Sequence, residues 1–430
     1  MILYTVHPDK VGTVHCLLMK GRVFMALDST ALSYEQYREL LKDERKPCAM
    51  VNLDALEENS RRMLKSVQGT EKSVRVASKS IRCPWILKHI VGSDPLYRGI
   101  MSFTVEEAAF LVDEGYDDIL IAYPSAQPSD MKLMADMAAR GKRVSLIVDS
   151  EAHLDALGAA GRARGVTTGA AIELDVSYRR LGNAVHVGAR RSPVRDPERV
   201  VQLIRYAEKT GGVTVRGMMG YEAQIAGVTD KNPFAKSLNR VAKLVKALSR
   251  PDVARQRANV FRLLEKSSIK LDFINGGGTG SLSSTPQESA VTEVTVGSGF
   301  YCSHLFSYFE NLDLIPAAFF ALQVVRSSDP GYMTCHGGGY VASGAAGPDK
   351  APIPHSPPGL KIITMEGTGE VQTPIILPDN APNLKPGDPI IWRHAKAGEL
   401  MERFNEVLLI RGGKLLDKVP TYRGLGKSFL

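Results

Sequence analysis

The chain has 430 residues, 44% hydrophobic and 23% charged, with a formal net charge of +8. That length exceeds one ordinary core, so two domains are expected. The cations are interleaved with acids and form no basic run with aromatic partners, which speaks against a nucleic-acid surface; no apolar stretch approaches the ~20 residues of a membrane span, so no membrane partner is expected.

The first residues, "MILYTVHPDKVGTVHC", lack a basic start followed by an apolar run, so no secretory signal and a cytoplasmic location are expected. "TVHCLLMKGRVFMAL" reads either as strands of a β domain or as an extension, and "SYEQYRELLKDE" as a helix. From Arg75 to Phe309 one unit repeats: a short apolar strand, a turn and an amphipathic helix. The predicted strands are Val74–Ala77, Ile100–Phe103, Ile119–Tyr123, Val144–Val148, Ala170–Asp175, Val215–Tyr221, Leu271–Asn275 and Glu293–Val296. Between them lie helices such as "VEEAAFLVDEG", in which Ala108, Leu111 and Val112 share a face and Gly115 ends the run. The continuous apolar runs "ILIAY" and "VSLIV" are those of buried parallel strands. Eight such units in about 235 residues predict an α/β fold of TIM (β/α)8 barrel type, which typically spans ~250 residues, with an open doubly wound sheet as the alternative. After Phe309, Gly- and Pro-punctuated alternation predicts an all-β domain. The expected divisions are an N-terminal segment, 1–46, packed partly on that β domain; a barrel, 47–312; and a C-terminal β domain, 313–430. The five cysteines (Cys16, Cys48, Cys83, Cys302, Cys335) are far apart with no CxxC pair, against a disulfide framework or a structural zinc site.

Barrel active sites form at the C-terminal ends of the strands. The first predicted strand ends at Lys79, in "SVRVASKSIR"; the fifth gives Asp175, Arg179 and Arg180; the sixth gives Tyr221, Glu222 and Gln224. The seventh and eighth run into "NGGGTGS" and "VGSGFYCSH", glycine-rich turns whose backbone N–H groups, with the hydroxyls of Thr279, Ser281 and Ser298, can hold an anion. The first turn lacks the Gly-Lys-Ser/Thr ending of a Walker loop. A phosphate site facing a strand-end lysine points to pyridoxal phosphate, held by its phosphate and by an imine to Lys79. A phosphate- or sugar-binding barrel is the rival reading, and it predicts no visible absorbance from a protonated imine.

The segments "AMVNLDALEENSRRML", "VRVASKSIR", "VEEAAFLVDEGYDDILIAYP", "ELDVSYRRLG", "VGARRSP", "RGMMGYEAQ", "INGGGTGS", "TEVTVGSGFY" and "VPTYRG", in that order, resemble the fold-type III pyridoxal-phosphate enzymes, the alanine racemase-like barrels. The resemblance is to their D-threonine aldolase / D-serine dehydratase branch, and closest to proteins called amino acid deaminase/aldolase. It implies that Lys79 carries the cofactor and that Arg180, with Arg179 as competitor, faces the pyridine nitrogen. Tyr221 is then near cofactor and substrate, and Gly278, Thr279, Gly297 and Ser298 hold the phosphate. The branch binds a divalent metal (Mn, Mg or Zn) in the β domain through a His-x-Asp or His-x-Cys pair. Here His394 is in place as the one metal-ligand candidate, but Lys396 stands at the second ligand position, where an ammonium repels a cation; Glu399 would either replace the ligand or neutralise Lys396. Without a metal, His394 is the candidate to take a β-hydroxyl proton, ahead of His304 and His336. Gln224 stands where some relatives have histidine. The expected reaction is cleavage of the Cα–Cβ bond of β-hydroxy, D-configured amino acids through an external aldimine to an aldehyde and glycine. The alternatives are β-elimination with release of ammonia, racemisation with Tyr340 or Tyr422 as second base, and a non-catalytic cofactor carrier. A small amino acid is the expected ligand, and the fold implies a homodimer.

Overall fold

The computed structural model describes residues 31–430 except 182 and 183, together with the backbone of two short strands, Leu18–Met19 and Arg22–Val23, which pair with each other. The rest of the predicted strand region "TVHCLLMKGRVFMAL", Cys16 included, lies outside the described residues.

All eight predicted barrel strands form: Ser73–Ala77, Tyr97–Ser102, Ile119–Ile121, Val144–Val148, Thr168–Glu173, Val213–Gly220, Phe273–Gly276 and Glu293–Val296. Each runs parallel to the next, and the eighth pairs with the first from Glu293↔Ser73 to Val296↔Val76, so the sheet closes and the open doubly wound alternative is removed. The apolar runs behave as buried on both faces: every residue of Val144–Val148 is buried between the barrel interior and the surrounding helices. Helix Val105–Asp113 starts where Thr104 accepts the Glu107 N–H at 3.1 Å, and it buries Ala108, Leu111 and Val112 as its periodicity requires. Arg75, the middle residue of the first strand, is buried rather than turned to solvent. Its guanidinium is paired with Glu293 at 2.7 and 2.8 Å and with Asp118 at 3.1 Å, which satisfies a charge only 1% exposed.

The second unit is a nine-stranded sheet built around Ala318–Ser327. Its central strand also includes a correction to the expected division at residue 47: Cys48–Asn52 is no part of the barrel sheet. It lies antiparallel to Ala318–Ser327 and parallel to Glu406–Arg411. The chain therefore enters the β unit first, crosses to the barrel through helix Leu53–Leu64, and returns after Phe309. The predicted N-terminal helix, Tyr34–Leu40, starts with a capping box between Ser33 and Gln36, and its Tyr37 packs with Phe319, Ile391, Leu408 and Ile410 on this sheet. Cys48, Cys83, Cys302 and Cys335 are unpaired. Among the described residues, no helix is long and apolar enough to cross a membrane.

Candidate active site

At the C-terminal ends of the barrel strands opens a cavity of about 720 Å³, walled by the barrel turns on one side and by residues 343–350 and 396–399 of the β unit on the other. Lys79 reaches it because the first strand ends in a tight turn, Ser78–Ser80. The turn is clamped from three sides. Ser78 Oγ donates to the Met101 carbonyl at 3.0 Å, and Arg82 Nε donates to the Lys79 carbonyl at 3.0 Å while its other end pairs with Glu402 at 2.6 Å. On the third side Gly398 approaches so closely that a Cβ there would stand 1.8 Å from the Lys79 carbonyl oxygen. Only glycine fits, and through it the β unit bears directly on the lysine turn.

The Lys79 ammonium donates to Tyr123 Oη at 2.7 Å. Burial acts to raise the Tyr123 phenol, but Lys79, with Arg191 behind it, outweighs burial and holds it below the usual tyrosine value. The Arg191 guanidinium lies between two rings, 5.4 Å from the centroid of Tyr123 and 5.6 Å from that of Tyr221. Tyr221 lines the cavity as expected, and burial pushes its phenol up to about 12. Glu173, at the end of the fifth strand, is pushed up to about 7 by burial, with Arg191 pulling the other way. The sequence reading passed over Tyr123, Glu173 and Arg191, although Tyr123 stands at the end of the third predicted strand, where it was open to the same argument as Lys79.

Gly278, Thr279, Gly297 and Ser298 all line the cavity. A Cβ on Gly297 would stand 2.7 Å from Ser80 Oγ and 2.9 Å from Ala77 Cβ, so the backbone is bare where an anion would approach. Thr279 Oγ1 accepts the Gly299 N–H at 3.1 Å and ties the two turns together. Beneath them lies a fully buried ion pair between Glu222 and Arg257. Glu222 Oε2 accepts the Gly277 N–H at 3.1 Å and Oε1 accepts from Ser281 Oγ at 2.6 Å and from Thr285. Arg257 also reaches Glu288 at 2.7 Å. Burial would raise Glu222, but Arg257 and these donors hold it below the usual carboxylate range. Glu222 is thus the anchor of the glycine turn. Arg257→Met leaves that carboxylate buried without its cation, and we expect a loss of about 3–5 kcal/mol in urea unfolding, with part of it regained in the Glu222→Gln/Arg257→Met double variant.

Two predicted site residues are elsewhere. Arg180 does not line the cavity: it lies in a hairpin, Tyr178–Arg180 with Val185–Val187, stacks on Tyr178 and bonds Asp252 at 3.3 Å. Arg179 is held by Asp175 and Ser177. Arg191 and Arg82 are the arginines that line the cavity, and of these Arg82 is paired with Glu402. His394 also lies outside it, 2% exposed, with neither ring nitrogen in a well-formed hydrogen bond; burial, then the charges of Arg393 and His304, push it down to about 3. A group held neutral this deep cannot reach a substrate hydroxyl in the cavity. His304 is buried with Nε2 2.9 Å from the Ala351 carbonyl, His336 is exposed on strand Tyr332–His336, and buried Gln224 donates to the Val176 carbonyl at 2.9 Å. Tyr340 packs on Phe320 and Phe404, and Tyr422 donates to Glu107 at 2.8 Å; neither lines the cavity.

The donor set does not fit a divalent cation. Among the described residues, no three His, Cys, Asp or Glu side chains converge, His394 faces away, and the cavity position beside it is filled by the Lys396 ammonium, paired with Glu399 at 3.2 Å. For pyridoxal phosphate the fit is good: an amine at Lys79, a bare glycine cradle beside it on the neighbouring strand ends, and a guanidinium between two aromatic faces.

The chain matches the alanine racemase N-terminal domain family over residues 51–303. It is 26% identical over 252 residues to a D-threonine aldolase of Arthrobacter sp; the matched region is 59% of this chain and 60% of that relative. Among solved structures it is similar to a D-threonine aldolase from Filomicrobium marinum (TM-score 0.72, 20% identity, covering 89% of this chain and 96% of that one). It is similar also to a D-threo-3-hydroxyaspartate dehydratase from Delftia sp. HT23 (TM-score 0.70, 18% identity, 89% and 98% covered). With the family match spanning more than half of its length, and every barrel strand falling inside or ending within the matched residues, the chain belongs to the alanine racemase N-terminal domain family, of fold type III among pyridoxal-phosphate proteins.

Proposed function

We propose that the chain is a pyridoxal-phosphate-dependent lyase that cleaves the Cα–Cβ bond of β-hydroxy, D-configured amino acids to an aldehyde and glycine. One observation carries the reading: the Lys79 amine stands in the cavity, bonded to Tyr123, with the glycine cradle of Gly278, Thr279, Gly297 and Ser298 in the same wall. The likeness to a D-threonine aldolase supports the substrate class.

When bound, pyridoxal phosphate supplies an electron sink for the pair left on Cα when the Cα–Cβ bond breaks. Gly278, Thr279, Gly297 and Ser298 would hold its phosphate. Lys79 would anchor the cofactor, and its amine would be placed to return a proton to Cα, with Tyr123 Oη keeping it oriented. Arg191, locked between Tyr123 and Tyr221, offers a fixed cation to an anionic oxygen. Leu305, Phe306 and Phe309 form an apolar wall that excludes water and strengthens these charges.

Product analysis tests the reading. D-threonine should give equal amounts of glycine and acetaldehyde, and L-threonine none. Ammonia with a 2-oxo acid would overturn it in favour of β-elimination, and no consumption of any β-hydroxy amino acid would overturn both. Tyr340 and Tyr422, the residues expected as the second base of a racemase, are packed outside the cavity.

A further inference from the structure

Besides the adjacent pair Asp349–Lys350, the β unit lends the cavity a constructed polar cluster that the barrel chemistry does not use. Lys396 Nζ donates to Ser343 Oγ at 2.7 Å, lies 3.2 Å from Glu399 Oε1, and makes a longer contact of 3.3 Å to the Ser343 carbonyl. Glu399 accepts the Ser343 N–H at 2.8 Å and the Ser343 hydroxyl. Burial acts to raise Glu399, but these donors and Lys396 prevail and keep it ionised. Both side chains line the cavity and stay part-exposed to it, 45% and 33%. The segment bearing them is fixed against the lysine turn by the contact of Gly398 with the Lys79 carbonyl.

The cluster is neutral as a whole, so it does not select a second carboxylate. It offers one strong donor beside one strong acceptor. A carboxylate has roughly four acceptor sites, of which three are used here, and the third ammonium N–H is spent only on the long Ser343 contact. The group that matches a donor and an acceptor about 3 Å apart is an alcohol, which accepts one hydrogen bond and donates another. A divalent cation in the same place would face the ammonium.

We propose that Lys396 and Glu399 form a metal-free subsite for the hydroxyl on the substrate's Cβ, with Lys396 donating to its oxygen and Glu399 accepting its proton, and with Ser343 holding the pair in register. The inference rests on the proposed reading of the cavity as an amino acid site and adds which atom of the substrate the β unit recognises.

The test is a stopped-flow titration of the holoenzyme, read by the cofactor's absorbance change, with D-serine against D-alanine, which lacks the hydroxyl. The wild-type protein should bind D-serine at least about tenfold more tightly, the value of one charged hydrogen bond. Lys396→Met and Glu399→Gln should bring the two affinities together while leaving that for D-alanine within about twofold, which also shows that the variants are folded and loaded. Equal affinities in the wild type, or a preference that survives both substitutions, would overturn the subsite. So would saturable, micromolar Mn²⁺ uptake by calorimetry that Glu399→Gln abolishes. The two readings fail separately: a hydroxyl preference without glycine formation overturns the aldolase reading alone, and glycine formation without the preference overturns the subsite alone.

Discussion

Lys79→Ala should abolish the visible absorbance of a protonated imine in protein purified with or reconstituted with pyridoxal phosphate, and should reduce glycine formation by roughly 10⁴-fold or more. The lysine is asked to do two things, anchor the cofactor and move a proton at Cα, and proton transfer alone contributes about 10²–10⁴. The fold should be indifferent to the change. Lys79 is exposed into the cavity, its one side-chain hydrogen bond is to Tyr123, and the turn is held through its backbone by Arg82 and Gly398. An unchanged melting profile with a lost absorbance band is therefore the expected pair of results. Lys79→Arg should behave like Lys79→Ala, because a guanidinium keeps the charge but stays protonated and cannot become the attacking amine. A spectrum shared by wild type and Lys79→Ala would sink the cofactor assignment and return the barrel to the class of plain phosphate or sugar binders.

What could be read in the sequence and what could not follows a physical division. The barrel was legible because buried parallel strands leave unbroken apolar runs, as in "VSLIV", and because glycines mark the turns where a Cβ has no room, as at Gly297. Lys79 was legible because a strand end on a barrel has one destination. Arg180 misled because the fifth strand does not lead straight to the next helix. The chain turns at the Asp175–Arg179 pair, runs out along the hairpin Tyr178–Arg180 and Val185–Val187, and comes back with Arg191. Distance along the chain cannot say which arginine of "YRRLGNAVHVGARR" returns. His394 misled for a related reason. The end of strand Pro389–Arg393 fixes where the residue is but not which face it takes, and the face was decided by packing beneath His304 and Arg393. Lys396, two residues on, could be weighed from sequence because its charge is legible without its surroundings, and the structure places it in the cavity wall beside Glu399.

Lowering the pH from 7 to 5 should loosen the β unit while leaving the barrel at least as protected as before. His394 and His304 are buried, and burial pushes their pKa values down to about 3 and about 4. Each would take up a proton near pH 6.5 in the unfolded chain, so between that value and the folded one the unfolded state binds more protons, and stability is lost as pH falls. At pH 5 the loss is about 1.5 pH units per histidine, or about 2 kcal/mol each and about 4 kcal/mol together. Glu107 and Glu173 act in the opposite sense. Burial raises both to about 7, so each is protonated in the fold before it is protonated in the unfolded chain, and each adds stability as pH drops through 7 toward 4.5. Their gain over the same interval is of similar size, about 2 kcal/mol each. His355, on strand Ile353–Ser356 of the same unit, is likewise pushed down to about 4 by burial and adds a further loss of about 2 kcal/mol. Global unfolding should therefore fall by only about 2 kcal/mol, and the larger changes should show regionally. Hydrogen exchange, corrected for intrinsic rates, should quicken in Ala318–Ser327 and Pro389–Arg393 at pH 5 and should slow in Thr168–Glu173, the strand that ends in Glu173. His394→Leu, which gives up no well-formed hydrogen bond, should cost little at pH 7 and gain about 2 kcal/mol over wild type at pH 5. A variant whose advantage did not grow between pH 7 and pH 5 would show that His394 titrates as an ordinary exposed histidine, and would reopen its claim to a place in the active site.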